Sequence, residues 1–290
     1  MTLSPGDQVG AYRIAGTYPG GGYRALHVAT LDAAHLDVRS AEDWREQAIH
    51  NLRASTLVAA LAHPGVARIL DRGVLADRRT WLASELPEGV PLSDVLARRS
   101  LTARETEGLV HDVANVLAHA HERGLVHGAV HHHAIIMRTG ERPYPIALGA
   151  WGDVFSCAPD NLPPTPPLFT VYTAPELARG RAADGRADVF AIGVLAHRAL
   201  TDRFPTRPEL LADVPDDLAA LIVRMLAVDP SHRPTALEVV AATASPVTTD
   251  RAMPRERLSR PRWTPAPPTG GEERRVADII DFAIARRERT

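Results

Sequence analysis

Lysine is absent from this sequence, in which all 33 basic residues are arginine. A lysine ammonium is a compact charge whose pKa shifts readily on burial, and the planar guanidinium of arginine does not replace it freely. Any reaction that requires a lysine side chain is therefore excluded for this chain. Together with abundant alanine, proline and glycine, the arginine bias is typical of a gene with a high G+C content.

Cysteine and long apolar runs are also scarce. Cys157 is the single cysteine, which excludes a disulfide within the chain and suits a reducing compartment. No apolar stretch approaches the ~20 residues of a membrane-spanning helix, and the first residues lack the basic start and apolar run of a signal peptide. The net charge of −2 at pH 7 provides no field that attracts nucleic acid or an anionic membrane. We therefore expect a soluble, cytoplasmic protein with no nucleic-acid partner and no direct membrane insertion.

The pattern of apolar residues changes between the first and second parts of the chain. The 290 residues, 45% of them hydrophobic, are enough for a sizeable core. Residues 9–86 contain mostly strand patterns and one helical pattern, and the run Gly20–Gly22 favours a hairpin turn over a ligand cradle. Residues 87–244 contain helical patterns, of which "RADVFAIGVLAHRAL" is apolar nearly all round and predicts a buried central helix. These patterns predict an α+β fold with a small strand-rich lobe and a larger helical lobe.

The end of the chain differs from both lobes. Residues 245–271 are rich in proline and arginine and lack periodicity, which predicts an extended linker. Residues 272–288 are amphipathic. A helix there places four branched apolar side chains on one face, namely Val276, Ile279, Ile280 and Ile284. This face can fold back onto its own lobe or dock on a partner protein, and the sequence leaves both alternatives open.

Five short motifs follow one another in the helical part of the chain. They are "LVHGAVHHHAII", "IALGAWGD", "YTAPEL", "RADVFAIGVL" and "MLAVDPSHRPTALEVV". In this order and spacing they resemble the bacterial serine/threonine protein kinase family, over residues 9–244. The resemblance implies the bilobal kinase fold, and it assigns structural roles to His127, to Glu176 of the Ala-Pro-Glu motif, to Asp188 and to Arg233. A Glu176–Arg233 ion pair is expected to tie the activation segment to the helical lobe.

The resemblance also implies that the catalytic loop has lost its chemistry. A protein kinase works by positioning metal ions, a phosphate-holding lysine and a carboxylate that orients the acceptor hydroxyl. In the family's His-Arg-Asp loop, Gly128 stands at the arginine and Ala129 at the catalytic aspartate. His131 stands at the loop lysine and Ala134 at the metal-binding asparagine. In the Asp-Phe-Gly motif, Ala150 stands at the magnesium-binding aspartate, where an alanine offers no oxygen to a hard cation.

The positions that hold the nucleotide in the family are degraded in the same way. The strand lysine falls on Asp37, or on Arg39 if the register slips by two, and its glutamate partner falls on Ala54. Loss of both partners is coherent because one alone leaves a buried charge unpaired. An aspartate at position 37 is expected to repel phosphate by roughly 4 kcal/mol per unit charge, at an effective dielectric of ~20 and ~4 Å.

Two further features bear on the expected nucleotide cleft. The glycine-rich loop aligns with "PGGGYRAL", in which Gly21 and Gly22 are kept while Pro19 and Arg24 replace the outer glycines. The bulk of Arg24 is expected to hinder close approach of the backbone to phosphate. Trp151 is expected to fill the vacated cleft, because an aromatic ring gains by burial and an empty apolar cleft provides it.

Three consecutive histidines, His131, His132 and His133, raise the alternative of a metal site. Imidazole is a common ligand for transition metals. Adjacent residues on an extended loop point to opposite sides, however, so three in a row rarely converge on one ion. We therefore expect no metal and no cofactor, and we expect His127 to be a packed residue that is hydrogen-bonded to backbone.

The segment before the Ala-Pro-Glu motif contains three candidate phosphorylation sites, Thr165, Thr170 and Thr173. It is rich in proline and is expected to be extended and accessible. Phosphorylation there by an active kinase would add negative charge and recruit an arginine-bearing phosphothreonine reader. An unmodified surface loop is the alternative.

The degenerate positions predict a catalytically inactive pseudokinase rather than an enzyme. We expect a protein-interaction scaffold or regulator in bacterial serine/threonine kinase signalling. Its partners would be an active serine/threonine kinase or a phosphothreonine-binding domain, which rests on analogy at the level of the fold. The alternative is a repurposed cleft that binds a nucleotide or performs other, non-kinase chemistry.

Overall fold

The structure, a computed structural model, describes residues 2–18, 21–40, 42–139, 144–156, 171–205 and 214–244. The linker and the amphipathic segment expected after residue 244 lie outside the described residues, and so do Cys157 and Pro19. None of the helices in the described part of the chain is long and apolar enough to cross a membrane.

A six-stranded antiparallel sheet forms the first lobe. Its strands are β1 (Gln8–Val9), β2 (Tyr12–Thr17), β3 (Tyr23–His27), β4 (Ala33–Arg39), β5 (Ile69–Val74) and β6 (Thr80–Glu85). They are ordered β1-β2-β3-β4-β6-β5. Buried and more exposed residues alternate along β2 and β5, as expected for strands that cover a core with one face.

The second strand pattern of this lobe is divided differently from the expectation. The apolar pattern of the segment "ALHVATLD" predicts one strand, but β3 ends at His27 and β4 begins only at Ala33. Between them the backbone N–H of Thr30 donates to Nδ1 of His27, and Leu31 adopts a left-handed conformation at φ 60°. This local turn interrupts an otherwise continuous apolar pattern.

A single helix, α1 (Trp44–Ala59), crosses from β4 to β5. Its buried residues recur at intervals of three and four, which places Asn51, Ala54, Ser55 and Val58 on the face that packs inward. The helix ends before the His-Pro pair at residues 63–64, as the sequence indicates. Ala54 is almost fully buried and belongs to the main hydrophobic core.

Helices form most of the second lobe. They are α2 (Leu92–Leu96), α3 (Ala103–His121), α4 (Pro175–Ala178), α5 (Arg186–Thr201), α6 (Asp216–Met225) and α7 (Ala236–Ala242). In α3 the side chain of Thr102 caps the N–H of Glu105 while the Glu105 carboxylate reaches back to Thr102, a reciprocal capping box. Eleven of the 16 residues of α5 are buried, so α5 is the central helix that its apolar sequence predicts.

Short strands in this lobe hold the loop of interest. β7 (Val90–Pro91), β9 (Ile135–Met137) and β10 (Ile146–Leu148) form a three-stranded sheet, and β8 (Leu125–Val126) pairs with β11 (Phe155–Ser156). The segment from β8 to β9 therefore lies between two small sheets. Its ends are fixed by backbone hydrogen bonds, which positions the histidine-rich loop at the junction of the lobes.

Candidate functional site

A cleft of about 760 Å³ lies between the six-stranded sheet and the loop that joins β8 to β9. This volume is within the usual range for ligand-binding pockets. Its walls come from β4 and β6 above, from residues 128–134 below, and from residues 149–150, 152–153 and 171–173 at the sides.

The buried carboxylate of Asp188 on α5 organises the floor of this cleft. It accepts hydrogen bonds from the backbone N–H of His127 at 2.8 Å, the backbone N–H of Gly128 at 2.9 Å and Nε2 of His121 at 2.8 Å. Burial raises the pKa of Asp188, but the hydrogen bond and charge of His121 and these other contacts outweigh it and hold the pKa below its ordinary value. The loop therefore keeps its backbone shape through a charge-assisted framework.

The imidazole of His127 is also part of that framework. It is fully buried; Nε2 donates to the carbonyl of Gly149 at 2.8 Å, and Nδ1 accepts from the backbone N–H of Ala129 at 3.1 Å. Burial lowers the pKa of His127, so the ring is neutral at pH 7. Its ring packs against Trp151 with the ring centroids 4.3 Å apart and the planes tilted by 57°, which gives it a structural role.

The structure brings Ala129, Ala134 and Ala150 together on the wall of the cleft. Ala134 is buried, and Ala129 and Ala150 are half-buried. Ala150 adopts a left-handed conformation at φ 60°, which is uncommon for a residue other than glycine. The backbone at Ala150 keeps an unusual conformation, but the side chains at these three positions of the cleft wall are only methyl groups.

Arg39 is the one arginine among the described residues that line the cleft. The register of β4 sets Asp37 opposite Leu82 and Arg39 opposite Thr80, and both charged side chains line the cleft. Arg39 Nε donates to Asp37 Oδ2 at 2.8 Å, and Arg39 Nη1 donates to Asp153 Oδ1 at 2.7 Å. Burial raises the pKa of Asp153, but the charge and hydrogen bond of Arg39 lower it below the ordinary range.

Asp37 is not an isolated charge in the structure, because its carboxylate is paired with the guanidinium of Arg39. The group of Asp37, Arg39 and Asp153 still contains one more negative than positive charge, so the expected repulsion of phosphate stays a prediction. Because the guanidinium of Arg39 is paired with two carboxylates, its attraction for a further anion is weak. Asp153 and His50, whose Nε2 donates to the carbonyl of Gly152 at 2.7 Å, were missed from the sequence. Their partners lie about a hundred residues away, and no local pattern signals the contact.

The glycine turn behaves as a hairpin. Gly21 and Gly22 adopt positive φ angles of 111° and 74°, and the N–H of Tyr18 donates to the carbonyl of Gly22 at 3.0 Å. A Cβ at Gly22 would lie 2.5 Å from the carbonyl oxygen of Leu36, so glycine is required there. The expectation that Arg24 obstructs the cleft is wrong, because its side chain is exposed and is not among the described residues that line the cleft.

The three consecutive histidines form an aromatic cluster with Tyr172 instead of converging on one point. The Tyr172 hydroxyl and Nδ1 of His132 lie 2.6 Å apart, and the rings of His132 and His133 lie 4.1 Å apart. Burial, followed by the neighbouring histidines, lowers the pKa of His131 to about 3, and burial lowers that of His132 to about 4. These rings are neutral at pH 7. In the described part of the chain, no group of three or more His, Cys, Asp or Glu side chains is placed to hold a metal ion.

The position of Trp151 corrects another expectation. The ring is 1% exposed and belongs to the main core, and its Nε1 donates to the carbonyl of Leu148 at 2.8 Å. It packs below the cleft and does not fill it. An aromatic ring does seek burial there, but the helical lobe and α1 provide a more enclosed position than the cleft between the lobes.

The activation segment is anchored by the pair expected from the motifs. Arg233 Nη1 and Nη2 donate to the two carboxylate oxygens of Glu176 at 2.7 and 2.8 Å. Thr173 is half-buried and lines the cleft, which differs from the accessible extended segment expected from the sequence. Thr165 and Thr170 lie outside the described residues, as do the four apolar residues assigned to the C-terminal docking face, Val276, Ile279, Ile280 and Ile284.

Comparisons with known proteins agree with this architecture. The serine/threonine-protein kinase PknJ of Mycobacterium tuberculosis is 26% identical over 215 residues, which cover 70% of this chain and 36% of PknJ. PknA of the same species is 29% identical over 258 residues, covering 79% of this chain and 58% of PknA. PrkC of Bacillus subtilis is 25% identical over 234 residues, covering 73% and 35% of the two chains. The chain therefore spans little more than a third of the length of PknJ and PrkC.

A sequence model of the protein kinase domain matches residues 33–243. The matched segment contains β4 to β6, the loop held by Asp188, and the Glu176–Arg233 pair. Since the match covers well over half of the 290 residues and coincides with the two-lobed fold, the chain belongs to the protein kinase family and is similar to bacterial serine/threonine kinases.

Proposed function

We propose that this chain is a catalytically inactive kinase homologue that acts as a protein-interaction scaffold or regulator in bacterial serine/threonine kinase signalling. The observation that carries the proposal is the set of methyl groups at Ala129, Ala134 and Ala150 on the cleft wall. They stand where the family has its general base and its two metal ligands. A general base alone contributes typically ~10²–10⁴-fold to a rate.

The residues at the family's metal positions do not fit magnesium. Magnesium is usually bound through one or two carboxylates together with the phosphates, and neither the loop nor the Asp-Phe-Gly position provides one. A cation that is not already paired would favour phosphate binding. Arg39 is bonded to Asp37 and Asp153, so a phosphate has to compete with two carboxylates for the same guanidinium.

The parts of the fold that are kept support a role in protein binding. Asp188 still shapes the loop, and Arg233 still anchors the activation segment through Glu176. These contacts maintain the kinase-like surface without contributing to phosphoryl transfer. A chain that keeps these structural contacts and lacks the catalytic side chains is consistent with a function in protein binding.

The partners we propose are an active serine/threonine kinase or a phosphothreonine-binding domain. The relatives named above are serine/threonine-protein kinases, and proteins of one family often act on shared partners; this is an argument from analogy. We also propose a cytoplasmic location, because nothing in the composition indicates a membrane or nucleic-acid surface.

Phosphoryl transfer is the direct test of inactivity. The full chain is incubated with radiolabelled ATP, magnesium or manganese, and a mixture of generic protein substrates, beside an active bacterial kinase as the positive control. We expect no label on the chain or on any substrate above a heat-denatured blank. Label that disappears when Asp153 or Arg39 is substituted would overturn the proposal.

The partner role is tested by affinity capture with the full chain and with a variant that lacks residues 272–290. Capture of a serine/threonine kinase or a phosphothreonine-binding protein supports the proposal, and loss of that partner in the truncated variant assigns the docking to the C-terminal segment. A partner that is retained equally by both forms would instead assign docking to the kinase-like domain. Capture of neither class by the full chain would contradict the partner proposal.

A second candidate function is favoured by the persistence of the cleft. Its volume of about 760 Å³ is large enough for a small molecule, and its walls include neutral histidines and the partly buried group of Arg39, Asp37 and Asp153. A nucleotide bound without metal, or a different reaction in the same cleft, is the corresponding hypothesis. Binding of ATP that is unchanged by chelation of divalent cations would favour it over the scaffold.

A further inference from the structure

Two polar contacts join the sheet lobe to the turn that follows β10. Arg39, at the end of β4, donates from Nη1 to Asp153 Oδ1 at 2.7 Å. His50, on α1, donates from Nε2 to the carbonyl of Gly152 at 2.7 Å. The contacts link residues that are 114 and 102 positions apart in the chain, so each connects separate parts of the fold.

The turn that receives these contacts is anchored in the helical lobe. Trp151 is buried in the main core beside His127, and its indole N–H is bonded to the end of β10. Gly152 is packed closely against the sheet, because an added Cβ would lie 3.3 Å from Leu82 Cδ2 and 3.6 Å from Arg39 Nη2. The sheet lobe, α1 and the helical lobe therefore meet at one short turn.

One positive and two negative charges meet at this junction. Asp37 accepts from Arg39 Nε at 2.8 Å, so the guanidinium is held between one carboxylate of its own strand and one of the opposite lobe. The side chains of Arg39, Asp37 and Asp153 are 28%, 32% and 38% exposed. Charge-assisted hydrogen bonds in a partly buried position are stronger than surface ion pairs, and some exposure leaves them sensitive to salt.

We propose that the Arg39–Asp153 ion pair and the His50–Gly152 hydrogen bond form a cleft latch, which holds α1 and the sheet closed on the helical lobe in the absence of any nucleotide. Arg39 is the positioning residue of this latch. The surface that the two lobes present to a partner then depends on contacts within the chain and not on a bound nucleotide. This inference goes beyond the proposed function, because it holds whether the partner is a kinase, a phosphothreonine reader or another protein.

Loss of one arm of the latch has a measurable size. A hydrogen bond to a charged group contributes about 1.5–3 kcal/mol, and 1.4 kcal/mol corresponds to a factor of ten. Removing the charge of Arg39 is therefore expected to raise the population in which α1 is open by about tenfold or more. Local openings of this kind are detected by native-state amide hydrogen exchange.

The experiment compares hydrogen exchange in the full chain with exchange in Arg39→Gln, Asp153→Asn and the double variant. We expect amides of α1 and β4 to exchange about tenfold faster in each single variant, while amides of α3 and α5 are unchanged. The double variant should exchange no more than about threefold faster than the single ones, because both substitutions remove the same bond. Faster exchange throughout α3 and α5 would mean general destabilisation and would contradict the latch.

Arg68→Gln is the matched control, because Arg68 belongs to the same lobe and pairs with Glu85 at 3.2 Å while remaining 74% exposed. It should leave α1 exchange unchanged. In the unmodified chain, 1 M salt should accelerate α1 exchange, and it should have little further effect in Arg39→Gln, since a bond already lost cannot be screened. Unchanged α1 exchange in both single variants would overturn the latch. Detection of kinase activity would overturn the proposed function, but the exchange results would still test the latch independently.

Discussion

Substitution of Arg233 by methionine removes the buried positive charge that pairs with Glu176 of the Ala-Pro-Glu motif. The guanidinium makes five hydrogen bonds: two to the Glu176 carboxylate and one each to the carbonyls of Arg186, Ala227 and Val228. Its side chain is 0% exposed and that of Glu176 is 8% exposed. Methionine has a similar length but no donor, so the variant leaves a buried carboxylate without its partner.

The expected cost follows from that unpaired carboxylate. Removing one partner of a buried ion pair destabilises by about 3–5 kcal/mol. For a domain of this size, each kcal/mol lowers the midpoint of thermal unfolding by roughly 2–4 °C. We therefore expect Arg233→Met to lower the midpoint by roughly 6–20 °C. A double variant with Glu176→Leu removes both charges and should recover part of the loss, because replacing a buried pair by apolar groups is often nearly neutral.

The assay is urea denaturation followed by far-UV circular dichroism, with thermal unfolding as an independent measure. Exposed Arg68→Gln, whose ion pair with Glu85 is on the surface, is the control and should change stability by less than about 1 kcal/mol. A loss below about 1 kcal/mol in Arg233→Met would refute the claim that this pair anchors the segment. A double variant that is less stable than Arg233→Met would refute the electrostatic reason given for it.

Two other predictions concern buried groups. The pKa of His131 is about 3 and that of His132 about 4 in the folded chain, below the ordinary 6.5. Their contribution to stability is therefore full above pH 6.5 and is lost as pH falls toward 4, by at most about 1.4 kcal/mol per pH unit per group. Urea denaturation between pH 4 and 7 should show this acid loss, and the paired His131→Asn and His132→Asn variant should flatten it; an unchanged slope would contradict the pKa shifts. Gly193→Ala should destabilise the protein by about 1–3 kcal/mol, because the added Cβ would lie 2.9 Å from the Cβ of Met225. Gly108→Ala has open space around the added Cβ and should stabilise the protein by roughly 0.5–1 kcal/mol. Equal effects of the two substitutions in thermal unfolding would contradict the packing at α5.

The features that sequence could predict are those carried by local pattern and motif order. The buried helix α5 followed from an apolar sequence, and the Glu176–Arg233 pair followed from motifs of fixed spacing. The resemblance also located Ala129, in the loop between β8 and β9, and Ala150, just after β10, because each lies in a short motif of the family. These inferences required no knowledge of distant contacts.

The features that sequence could not predict depend on distant residues. The choice between Asp37 and Arg39 as the cleft residue had no single answer, because both side chains line the cleft and bind each other. Asp153 became significant only when the fold brought it to Arg39. The sequence predicts that Trp151 is buried, but it predicts burial in the cleft. The ring lies instead in the main core, which is formed by helices far away in the chain.

Nucleotide binding with and without magnesium tests the central claim most directly. A ligand at about 100 times its Kd stabilises a protein by about 2.7 kcal/mol, which corresponds to a rise of roughly 5–10 °C for a domain of this size. With only methyl groups at Ala129, Ala134 and Ala150, we predict no shift in the thermal-unfolding midpoint on titration with ATP, with or without Mg²⁺. A rise of several degrees, with or without Mg²⁺, would contradict the account.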